Sequence, residues 1–191
     1  MRKLLITCTL AFSLFFVGDK IAEASSVHTV QSGDTFWILA NQYGVPVNEI
    51  KRANNRTGDM IYVGEKLNIP TSSISSEEKR LMAQLVTAEA KGEPYAGQVA
   101  VATVILNRVD SDLFPNTVRE VIYEQRQFTP VSTGTIYQKP TDSAVRAVNE
   151  AIAFRGQGSG SLFFYNPAIA TNFWNATRQH TITIGNHVFA K

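Results

Sequence analysis

The stretch TAEAKGEPYAGQVAVATVILNRV, residues 87–109, places two glutamates, Glu89 and Glu93, on either side of Gly92 and then turns apolar on almost every side. Upstream, Leu81, Met82, Leu85 and Val86 recur three and four apart, which predicts a helix over about 77–91 with one apolar stripe. Continued by three or four residues, that stripe lands on Ala88 and Glu89, so Glu89 falls on the buried side at the helix end. A carboxyl group at the rim of an apolar surface is desolvated, and its pKa rises toward neutrality. That is the property a general acid needs to protonate a glycosidic oxygen. The other reading of Glu89 is a buried carboxylate paired with Arg108 or Arg126. Glu93, beyond the glycine, is accounted for by helix capping or a surface salt bridge.

Around these acids, Gly92 is expected to stop the first helix in a left-handed conformation, and Glu93-Pro94 to open the next. That second helix, with Val99, Ala100, Val101, Val104, Ile105 and Leu106, is apolar nearly all round and therefore central. Further on, Phe163-Phe164-Tyr165-Asn166-Pro167, with Asn172 and Trp174, supplies flat apolar faces and amide groups suited to sugar rings. Tyr165 and Asn166 are the strongest binding candidates there, although the phenylalanines equally suit a core and Asn166-Pro167 equally suits a turn. For a second carboxylate, Asp110, Asp112 and Asp142 fall in loops or polar stretches and match no motif. His28, His180 and His187 fit no zinc spacing, so no metal and no cofactor is expected.

The chain has 191 residues, 44% hydrophobic content and a formal charge of +2, enough for one ordinary domain plus a small one and no demand for nucleic acid. Arg2 and Lys3 precede the apolar run LLITCTLAFSLFFVG and the small-residue triplet Ala22-Glu23-Ala24, the pattern of a secretory signal over 1–24. The single cysteine, Cys8, lies inside it, so the mature chain would hold no disulfide and no thiol nucleophile. A secreted location, with no membrane contact after cleavage, follows as the expectation. Val27–Val30, a helix capped by Asp34 and carrying Phe36, Ile38, Leu39 and Tyr43, a stop at Gly44, a helix over 47–53 and a strand over 64–69 make a strand-helix-helix-strand unit over 27–70. A serine-rich joint, TSSISS at 71–76, leads into the second domain at 77–191.

HTVQSGDTFWILANQYGV, the Asn54-Asn55 pair and IYVGEKLNIP together resemble a LysM module. The resemblance implies binding to N-acetylglucosamine-containing polymers, with Gly33, Asp34, Thr35 and Phe36 on one wall of a shallow groove and Met60, Ile61 and Tyr62 on the other. The second half resembles the SleB/CwlJ family of cell-wall hydrolases over nearly its whole length, through AEAKGEPYAGQVAVATVILNRV, FPNTVREVIYEQRQFTPV, LFFYNPAIATNFW and IGNHVF. Ala88 and Lys91 depart mildly from that family's usual glycine and arginine. The implied fold is α+β, a small βααβ module followed by a mainly helical domain like lysozyme and the lytic transglycosylases. Glu89 is the implied catalytic acid, with Gln127 and Phe128 lining the cleft beside Tyr165, Asn166 and Trp174. The implied activity is cleavage of the bond between N-acetylmuramic acid and N-acetylglucosamine in peptidoglycan strands, giving 1,6-anhydro ends through a single acid/base. A hydrolytic muramidase and a noncatalytic wall-binding or spore-coat protein are the alternatives.

Overall fold

The computed structural model describes residues 25–170 and 174–191. The proposed signal, Cys8 and Asn172 lie outside the described residues. Strand β1 (Ser26–Thr29), helices α1 (Phe36–Tyr43) and α2 (Val47–Ala53) and strand β2 (Lys66–Ile69) form the small unit, with β1 and β2 antiparallel and Ser26 opposite Ile69. Its core joins Val30, Phe36, Leu39, Ala40, Val45, Ile50, Leu67 and Ile69. Helix α1 ends where Gly44 adopts φ +61°, a left-handed geometry that a β-carbon disfavours. The cap at its other end is Thr35, whose hydroxyl accepts from the Ile38 amide at 3.1 Å, and not Asp34. Asp34 is committed elsewhere: its Oδ2 accepts from the Gln31 amide at 2.7 Å and meets His28 Nε2 at 2.8 Å.

Helix α3 (Ser76–Ala90) opens on a capping box, Ser75 accepting from the Glu78 amide while the Glu78 carboxylate accepts from the Ser75 amide. Its apolar stripe is buried as the spacing predicts, with Met82, Leu85 and Val86 fully enclosed. The helix does not end on a left-handed glycine. Lys91 keeps helical angles (φ −57°, ψ −34°), Gly92 is not among the positive-φ residues, and the Glu93 amide closes the turn on the Ala90 carbonyl at 3.0 Å. Pro94 then caps helix α4 (Tyr95–Val109), the central helix, with Val101, Val104, Ile105 and Leu106 enclosed.

Helices α5 (Val118–Tyr123), α6 (Thr129–Thr133) and α7 (Asp142–Ala153) complete the helical body, and α7 packs along both α3 and α4. Strands β3 (Phe163–Tyr165), β4 (His180–Ile184) and β5 (His187–Ala190) form an antiparallel sheet in the order β3-β5-β4. The β4–β5 turn is tied to the α3–α4 corner. Glu93 accepts from the Asn186 amide at 2.9 Å and its side-chain amide at 3.1 Å, and a β-carbon on Gly185 (φ +58°) would overlap Glu93 and Pro94.

The serine-rich joint is packed. Ile74 is buried in the core of the second unit, the Ser72 hydroxyl donates to the Gly44 carbonyl at 2.6 Å, and Ala153 of α7 belongs to the core of the small unit. No helix among the described residues is long and apolar enough to cross a membrane.

Candidate active site

Glu89 sits in the last turn of α3, at the negative end of the helix dipole, with no basic side chain in that turn to offset it. A cleft of about 1040 Å³ opens there, and its lining draws on α3, α4, the 113–135 segment, β3, the 166–178 segment and β5. Among the described residues Glu89 has no hydrogen bond and no ion pair. Desolvation pushes its carboxyl up to about 7. The ion-paired alternative therefore fails. Arg108 is engaged elsewhere, and Arg126 is exposed on the cleft rim with φ +64°.

Arg108 is 4% exposed, deep in the cleft wall. Its Nε donates to the Leu162 carbonyl at 2.8 Å and its Nη1 to Gln127 Oε1 at 3.0 Å. The guanidinium lies 4.7, 5.1 and 5.6 Å from the ring centroids of Phe114, Phe128 and Phe163. Burial brings its pKa down to about 10, partly offset by the Glu124 charge. Arg178 also borders this aromatic cluster, its guanidinium 3.6 Å from the ring centroid of Phe163 and 3.8 Å from that of Trp174.

All six residues expected in this cleft line it: Glu89, Gln127, Phe128, Tyr165, Asn166 and Trp174. Their parts differ. Gln127 spends its side-chain oxygen on Arg108, and Phe128, 4% exposed, is a wall of the core as much as of the cleft. Asn166 builds a turn, its Oδ1 accepting from the Ala168 amide at 3.0 Å and its carbonyl from the Ala170 amide. Trp174 is 56% exposed and Tyr165 half-buried, so both offer faces to a ligand.

Among the lining residues not singled out as contacts from the sequence are Glu124, Arg178 and His187. Glu124 supplies a second carboxylate, whereas Asp110 is paired with Arg155 and neither Asp112 nor Asp142 lines the cleft. Its Oε2 is buried with no partner among the described residues. His187, 7% exposed, packs on Phe164 and Phe189; burial lowers its pKa against the opposing pull of Glu93. His180 bonds Thr183, and no cluster of histidine, cysteine and carboxylates suited to a metal occurs among the described residues.

In the small unit, Gly33 (φ +94°) and Thr35 are exposed, as are Met60 and Tyr62 at 68% and 65%, with Ile61 half-buried beside them. Phe36 is 3% exposed and belongs to the core of the small unit, so its ring is not a groove wall open to a ligand. Asp34 likewise has its carboxylate occupied by Gln31 and His28, which holds it below the ordinary carboxylate range.

The chain matches the cell wall hydrolase family over residues 92–190, a span that begins just after Glu89, and the LysM domain over 28–70. It belongs to the cell wall hydrolase family and carries a LysM domain. It is 47% identical over 185 residues to the spore cortex-lytic enzyme of Oceanobacillus iheyensis, covering 91% of this chain and 65% of that one. To the spore cortex-lytic enzyme of Bacillus subtilis it is 45% identical over 65% of this chain and 40% of that one. The chain thus spans 40% to 65% of the length of these two curated relatives. Among solved structures it is similar to the catalytic domain of the germination-specific lytic transglycosylase SleB from Bacillus anthracis, with TM-score 0.59 and 46% identity over 64% of this chain and all of that one. The Bacillus cereus SleB catalytic domain gives TM-score 0.57 and 48% identity over 62% of this chain and 93% of that one.

Proposed function

We infer that the protein is a peptidoglycan glycosidase that cleaves the bond between N-acetylmuramic acid and N-acetylglucosamine, with Glu89 as its acid/base. The observation that carries this reading is the Glu89 carboxyl, desolvated on a cleft and unpaired among the described residues, with a pKa near 7. At neutral pH it holds a proton in a large fraction of molecules and gives it to the departing glycosidic oxygen. The carboxylate then takes the proton of the muramic 6-hydroxyl, that oxygen closes on C1, and a 1,6-anhydro end forms without water. Likeness to a protein described as a lytic transglycosylase supports this outcome. Likeness to spore cortex-lytic enzymes supports cortex peptidoglycan as a substrate beside vegetative wall.

Glu124 favours one second reading. A carboxylate in the same cleft can activate a water, which would make the enzyme a hydrolytic muramidase with reducing muramic ends. The proposed organisation is a signal over 1–24, a LysM anchor over 27–70, a joint over 71–76 and the catalytic domain over 77–191. Tyr165, Asn166 and Trp174 receive the sugars, and the backbone of 33–36 with Met60, Ile61 and Tyr62 holds the glycan at the anchor, which raises the local concentration of wall at the cleft. Mass spectrometry of cortex and vegetative peptidoglycan digested by the protein from Ser25 onward, and by its Glu89→Gln variant, tests the chemistry. Anhydro muropeptides that vanish with Glu89→Gln are expected; reducing ends select the muramidase, and no fragments at all leave a wall-binding protein. N-terminal sequencing of exported protein is expected to begin at Ser25.

A further inference from the structure

Two arginines in the cleft have hydrogen-bonding capacity that nothing around them uses. Arg108 is almost wholly buried, and beyond the bonds from Nε and Nη1 its Nη2 has no protein acceptor among the described residues but is not one of their buried unpartnered atoms, so it keeps contact with solvent. Arg178 Nε is buried and likewise unpartnered among them. Both guanidinium groups border the same Phe163 ring, so two like charges are held close, and each raises the cost of burying the other. Arg126 adds a third cation to the lining. Against these three stand Glu124 and a Glu89 that is protonated in a large fraction of molecules near neutrality, so the cleft lining carries a positive excess.

A fold that packs cations together with unspent donors is arranged for an anion that arrives with the ligand. We propose that Arg108 and Arg178, which both border the Phe163 ring, form a subsite for a carboxylate on the glycan strand, the free acid of a muramic lactyl group or of its short stem peptide. This rests on the glycosidase reading and names the chemical class of strand that its cleft accepts. Planar guanidinium donors match a carboxylate's two oxygens, and the aromatic walls exclude water that would compete. Neutral N-acetylglucosamine oligomers have no such group. They bind at the LysM module without engaging the two arginines.

The test follows the arginine side-chain Nε–H resonances of the full chain carrying Glu89→Gln, which binds strands without cutting them. Soluble glycan strands with free carboxylates are expected to shift the Arg108 and Arg178 signals. The same strands with carboxylates converted to methyl amides, and N-acetylglucosamine oligomers of equal length, are expected to leave them in place. Arg178→Lys, which keeps the charge and sits at the cleft edge, is expected to weaken binding of the carboxylate strands about ten-fold, the scale of a lost charge-assisted pair, with the methyl amide strands unaffected. Equal shifts with all three ligands, or none with any, overturn the subsite. Cleavage by the unmodified chain is measured alongside: its absence overturns the glycosidase reading itself, whereas cleavage with unmoved arginine signals overturns only the carboxylate subsite.

Discussion

At the scale of single residues, Glu89 ties function to stability in opposite senses. Its carboxyl titrates near 7 in the fold and near 4.5 when unfolded, so the native state holds a proton that the unfolded chain has released. Stability from this group is complete below pH 4.5 and is lost as pH rises through 7, by roughly 3 kcal/mol as an upper figure from linkage. Glu89→Gln removes that loss while removing the acid. It is expected to abolish turnover and yet to raise the unfolding free energy measured in urea above pH 8, by about 1–3 kcal/mol, with little change at pH 4. The same titration sets the rate: kcat/KM of the unmodified protein is expected to fall about ten-fold per pH unit above 7, because only the protonated form donates. A profile flat from pH 6 to 9 would remove Glu89 from the acid's role. Glu124→Gln separates the two outcomes proposed for the cleft, since a muramidase needing Glu124 as base is expected to lose on the order of 10²-fold in kcat or more, whereas the anhydro-forming route keeps its product and most of its rate.

At the scale of elements, the corner between α3 and α4 is held by the turn between β4 and β5. Glu93 is the acid of the pair that does structural work, taking both hydrogen bonds from Asn186. Gly185 is required there twice over, for its positive φ and for its closeness to Glu93 and Pro94. Gly185→Ala is expected to lower stability by roughly 1–3 kcal/mol, from left-handed strain plus the displaced acid, and to reduce turnover by loosening the corner that carries Glu89. Thermal melting and kcat on the same variant check both parts. Helix limits in this region follow local signals well: Ser75 with Glu78 caps α3, and Gly44 ends α1. Two signals misled. Asp34 is a good capping residue by type, but Thr35 lies one residue closer to the helix, and His28 with Gln31 claims the aspartate. Gly92 has the freedom to turn left-handed, but the Pro94 cap of α4 follows so soon that the chain makes the corner with ordinary right-handed angles at Lys91.

At the scale of the whole molecule, the LysM module lies against α7, with Ala153 in its core and Ser72 bonded to Gly44. Arg155 adds bonds to Ser73 and Asp110 from the end of the same helix. One cooperative melting transition is therefore expected for residues 25–191. Ala153→Glu places a charge where the side chain is fully enclosed and is expected to split that transition in two while sparing the catalytic cleft. Calorimetry showing two transitions already in the unmodified protein would mean that the modules behave independently.

The sequence alone determined the four elements of the small unit, the LysM pattern, α3, the central α4 and the place of Glu89 at a helix end, because hydrophobic period and capping chemistry act over a few residues. It also placed Tyr165, Asn166 and Trp174 beside the cleft through the family's motifs. Only the tertiary structure decided that Arg108 bonds Gln127 and Leu162 and leaves Glu89 unpaired, and that Glu124, Arg178 and His187 join the same lining. Those residues sit on separate elements, and nothing in their local spacing records which neighbours they meet. Partnership between charges is fixed by how α3, α4 and the β3-β5-β4 sheet close on one another, and the pKa of Glu89 is a consequence of that closure.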